Sequence, residues 1–129
     1  MHTTDPHHLA HEPASVGVAR RLLRRDLEAL GVAGEVVDDA VLVLSELVSN
    51  AVEHGRPDGE GAIRVSWQVL DDRVVLDVRD SGTGTLVARI TDETDLRGRG
   101  LVIVESVCSR WRIEHDDGTH VRAELALAG

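Results

Sequence analysis

The segment from Glu35 to His54 constrains the fold more than any other. Val37, Ala40, Val41, Leu44, Leu47, Val48 and Ala51 recur at helical spacing and make one apolar stripe. At about 100° per residue, Leu42 and Val43 fall on the other side, one turn ahead of Glu46, Ser49, Asn50 and Glu53. A helix apolar nearly all round is covered on both sides. Glu46 and Asn50 therefore stand in a partly enclosed place, where a carboxylate and a carboxamide need partners.

The flanking segments say what covers this helix. Ala14 to Leu30 reads as a second helix, with Ser15 as its cap, an apolar stripe of Val16, Ala19, Leu22 or Leu23, Leu27 and Leu30, and Gly31 as its stop. Arg20, Arg21, Arg24 and Arg25 lie beside that stripe, either as a solvated face or as a surface for acidic partners or self-association. After the turn-rich stretch 56–61, Ile63, Val65, Trp67 and Val69 alternate with Arg64, Ser66 and Gln68. Asp71-Asp72 turns the chain, and Val74, Leu76 and Val78 alternate in their turn. This is an antiparallel hairpin with one apolar face. Period two puts Asp80 on that face, where a carboxylate must find a donor. Two more strands follow, around Trp111 and Ile113 and from Thr119 to Leu127, with Thr119 on the apolar side. The expected architecture is a two-layer α/β sandwich: a mixed, mostly antiparallel sheet with helices on one face. The expected organisation is a flexible tail over residues 1–13 and one domain over 14–129. The tail carries four His but no apolar core, so it reads neither as a signal peptide nor as a metal site.

Composition removes several functions. All 14 basic residues are Arg, so neither a P-loop lysine nor a Schiff-base lysine is available. A net charge of −9 argues against direct contact with nucleic acid or an anionic membrane and favours a basic protein partner. No apolar run reaches membrane-spanning length. The single Cys108 excludes an internal disulfide and suits the reducing cytoplasm.

Asp80-Ser81-Gly82-Thr83-Gly84 closes the hairpin, and Gly98-Arg99-Gly100 opens an apolar helix from Leu101 to Cys108. Glycine turns let backbone approach a ligand, and a helix N-terminus favours phosphate. The segment 85–96 between them reads as a lid.

An acid–amide helix followed by two Gly-x-Gly turns resembles the GHKL ATPase superfamily of gyrase, chaperone and histidine-kinase ATPases. The closest likeness is to the small stand-alone anti-sigma-factor serine kinases of actinobacterial type. The resemblance rests on Glu46 to His54, Asp80 to Gly84, and Gly98 to Leu101 with Ser109-Arg110-Trp111, and it covers about Ala14 to Ala126. It implies the Bergerat-type ATP-binding fold, ATP and Mg²⁺ as cofactors, and a role for each matching residue. Asn50 would ligate the metal and Glu46 would be the general base. Asp80 would accept from the adenine amino group, with Thr119 beside it and Gly82 and Gly84 shaping the adenine side. Gly98, Arg99, Gly100 and Leu101, with Arg97, would hold the phosphates. The resemblance further implies a homodimer that sequesters an RNA-polymerase sigma factor and phosphorylates Ser or Thr of an antagonist protein. Two alternatives stay open: a non-catalytic ATP-binding regulator, and a detached histidine-kinase catalytic domain with a separate histidine partner.

Overall fold

A computed structural model of the chain describes residues 2–3, 5–54, 62–80, 104–115 and 119–127. Its elements are strands β1 (His2–Thr3) and β2 (His7–Ala10), helices α1 (Ala14–Ala29) and α2 (Gly34–His54), and strands β3 (Ala62–Val69), β4 (Arg73–Asp80), β5 (Arg110–His115) and β6 (Thr119–Ala126). A helical turn at 104–107 precedes β5. The sheet runs β1-β3-β4-β6-β5, with β2 also on β3. Every described ladder is antiparallel, so the expected mixed character resolves to an antiparallel sheet.

The core is aliphatic apart from Trp67. Ala19, Leu23 and Leu27 of α1 and the full predicted stripe of α2 bury against Ile63, Val65, Trp67, Val74, Leu76, Val78, Val121, Ala123 and Leu125. These sheet residues share one parity along their strands, which is why one face carries the helices and the other does not.

Several expectations are corrected. His7–Ala10 is a strand, not a flexible tail: it pairs with β3, Leu9 is only 8% exposed, and the His7 ring stacks on Trp67 with centroids 5.0 Å apart. Ser15 does not cap α1. The helix begins one residue earlier behind Pro13, and the Ser15 hydroxyl donates to the Ala10 carbonyl, tying the strand to the helix. Leu30 lies beyond the helix and is exposed. Gly31 does end the helix: at φ +75° it donates to Glu28 O while Val32 donates to Leu27 O, the paired bonds of a Schellman turn. On the second side of α2, Val43 is buried but Leu42 is 41% exposed, so cover on that side is narrower than the pattern implied.

Candidate nucleotide site

Glu46 and Asn50 stand on the C-terminal half of α2, both half-buried. One turn separates them, about 6 Å along the axis, so both project from nearly the same side. Val43, fully buried, sits directly before them on that side and anchors it. The far side of α2 is held by Leu44, Leu47, Val48 and Ala51, and the helix packs on β4 and β6. Its polar side is thereby fixed at a boundary of the core.

Asp80 is the last residue of β4 and is 3% exposed. It continues the buried alternation of Val74, Leu76 and Val78, as the period-two reading expects. Its register partner on β6 is Thr119, so the backbone sets these two positions side by side. Gly82, Gly84, Arg97, Gly98, Arg99, Gly100 and Leu101 lie outside the described residues.

The donor set suits a nucleotide and a hard cation. An ionised carboxylate only accepts hydrogen bonds, which matches an exocyclic amine. An amide oxygen one turn from the negative end of a helix suits a cation that takes its other ligands from phosphate and water. Burial, helped by the charge of Asp39, pushes the Cys108 thiol up to about 12, which disfavours the thiolate.

The sequence from residue 9 to residue 125 matches the histidine kinase-like ATPase domain. The chain belongs to the histidine kinase-like ATPase family. ATP is the nucleotide of that family. Among its relatives, the serine-protein kinase RsbW of Oceanobacillus iheyensis is 28% identical over 130 residues, covering 91% of this chain and 82% of that protein. The protein of the same name from Bacillus subtilis is 24% identical over 131 residues, with 92% and 82% covered. The crystal structure of the RsbU and RsbW domains of a Mycobacterium tuberculosis protein superposes with TM-score 0.68 at 29% identity. That match covers 95% of this chain, which spans about a third (32%) of the mycobacterial one. The SiaB–SiaC complex of Pseudomonas aeruginosa shares the fold, with TM-score 0.65 at 16% identity. The family match starts at Leu9, inside β2, in agreement with that strand belonging to the domain.

Residue-by-residue reading missed two polar ties in this family member. Trp67 Nε1 donates to Asp26 Oδ2 at 2.7 Å, joining β3 to α1. On the opposite sheet face, Asp77 Oδ1 receives His120 Nε2 at 2.6 Å and Arg122 Nε at 2.9 Å. Burial pushes the Asp77 carboxyl up, but the bonds and charges of His120 and Arg122 together outweigh it and hold the group below its ordinary value. Only the β4–β6 register brings these residues together, so no local motif announces them.

Proposed function

We propose that this chain is an ATP-dependent protein serine/threonine kinase that acts as an anti-sigma factor, binding a sigma factor and phosphorylating an antagonist of its own. Two observations support the reading: a half-buried acid–amide turn on α2, and a buried carboxylate ending β4, the strand on which that helix packs. Relatives named serine-protein kinase supply the direction of the chemistry.

Bound Mg-ATP supplies the phosphoryl group and part of the charge neutralisation that its transfer needs. Asp80 would accept from the adenine amino group, and Asn50 would ligate Mg²⁺ through its amide oxygen. Glu46 accepts the proton of the acceptor hydroxyl. By resemblance, Gly82, Gly84 and Thr119 border the adenine, and Arg97, Gly98, Arg99, Gly100 and Leu101 attend the phosphates. The working form is a cytoplasmic homodimer. No described helix is long and apolar enough to cross a membrane.

For the partner surface, Arg20, Arg21 and Arg25 of α1 are exposed. Arg24 instead reaches Asp38 Oδ1 of α2 at 3.1 Å and has a fold-internal task as well. Charge reversal at Arg20 and Arg21 therefore probes partner binding without setting two acids against each other between the helices.

The test is a transfer assay with Mg-ATP and candidate antagonists, with the phosphorylated residue identified chemically. Acid-stable phosphoserine or phosphothreonine supports the kinase. A phosphohistidine product replaces it with the detached histidine-kinase reading, and ATP binding with no product for any antagonist replaces it with the non-catalytic regulator.

A further inference from the structure

The sheet face opposite the helices carries an ordered array of charge. Cross-strand register sets Arg64, Arg79 and His120 in one row and Ser66, Asp77 and Arg122 in the next, on β3, β4 and β6 in turn. Neighbouring strands lie about 4.8 Å apart, so side chains of adjoining rows reach a common point above the sheet.

Thr3 and Pro6, from and after β1, rim this array, and together they form a concavity of about 290 Å³. Its lining holds three guanidinium groups and one carboxylate, an excess of two positive charges within the lining, while the charges of Glu114 and Glu124 reach Arg122 from outside it. That is a local inversion of the −9 balance of the whole chain. The one carboxylate is already engaged, since Asp77 receives both His120 and Arg122 on the same oxygen. Arg122 makes that bond through Nε, one of the five N–H donors of its guanidinium. Arg79 Nη2 donates to His120 Nδ1 at 3.1 Å, so the chain Arg79–His120–Asp77–Arg122 is braced from both ends.

We propose that this concavity is a phosphate-binding site, formed by Arg79 and Arg122 with His120 and Ser66, on the sheet face away from the candidate nucleotide site. Two net positive charges match a phosphate dianion better than a carboxylate, and guanidinium forks fit tetrahedral oxyanions through paired donors. The ligand is either free phosphate or the phosphate of a small phosphorylated molecule. The proposal does not rest on kinase activity, because none of its residues belongs to the nucleotide site.

The experiment is a titration of the full chain with sodium orthophosphate, O-phosphoserine or sodium acetate at fixed ionic strength and pH, followed by backbone amide NMR. Saturable shifts are expected at residues 66, 77–79 and 120–122 with the two phosphates and not with acetate. They should persist when ATP is saturating. Tighter binding of O-phosphoserine assigns a phosphorylated small molecule, and equal binding assigns free phosphate; each supports the site. Arg79→Gln, at an exposed position, should weaken binding about tenfold, the scale of one charge-assisted bond, while the chain stays folded by its amide NMR spectrum. Arg79→Lys should recover part of the loss. Non-saturating shifts, equal shifts with acetate, or full affinity in Arg79→Gln would overturn the proposal.

Discussion

Asp77 and Asp80 are three residues apart on β4 and face opposite sides of the sheet. Asp80 closes the alternation that buries Val74, Leu76 and Val78, and it ends the strand. Asp77 looks to the open face, where His120 and Arg122 hold it. Residue type and strand are the same; parity alone separates a carboxylate suited to a nucleobase from one that cross-links strands. A buried acid is thus not evidence of a site until its face and its donors are known.

The largest effect that sharpens this contrast lies on the helix side. Glu46→Ala should lower phosphoryl transfer at least ~100-fold while ATP binding persists, the scale of a lost general base. Rate and nucleotide affinity measured on one preparation check it; equal loss of both makes Glu46 a structural residue. Asp80→Asn comes next. The amide can turn a donor toward a position where adenine already donates, so ATP affinity should fall roughly 30-fold, as for a lost bond to a charged group. Calorimetric titration reads this directly, and unchanged affinity would dissolve the distinction between the two acids.

The remaining tests concern stability. Leu9→Ala should cost about 2 kcal/mol, at the low end for a buried leucine because β2 is an edge strand. Urea unfolding showing no loss would return residues 7–10 to a tail. Asp77→Asn should cost about 1.5 kcal/mol at neutral pH and leave ATP affinity intact. The folded Asp77 carboxyl lies below its ordinary value, so its contribution is present above that value and is lost as pH falls through the depressed one. The gap between wild type and Asp77→Asn in urea unfolding should therefore close on going from pH 7 toward pH 3. A gap that is constant with pH would assign the effect to packing.

Much of this was readable in the chain, for physical reasons. The stripe of α2 and the alternation of β3 and β4 are strong periodic signals, and period two placed Asp80 on the buried face. Signals failed where they were short or non-local. His7–Ala10 has one large apolar residue, too few to show alternation, and its place comes from pairing with β3. Ser15 looks like a cap by type, yet its hydroxyl was drawn to the carbonyl of Ala10. The contacts of Asp77 join positions 43 and 45 residues away, visible only once the β4–β6 register is known. The glycine pairs at 82–84 and 98–100 fall outside the described residues, so their part in the site rests on the resemblance.

The central claim is that α2 and the end of β4 form a Mg-ATP site, and nucleotide-linked unfolding tests it most directly. At a hundredfold excess over the dissociation constant, Mg-ATP should raise the unfolding free energy of the wild-type chain by about 2.7 kcal/mol. At the same concentration it should have much less effect on Asp80→Asn. Wild-type unfolding that Mg-ATP leaves unaltered would contradict the account.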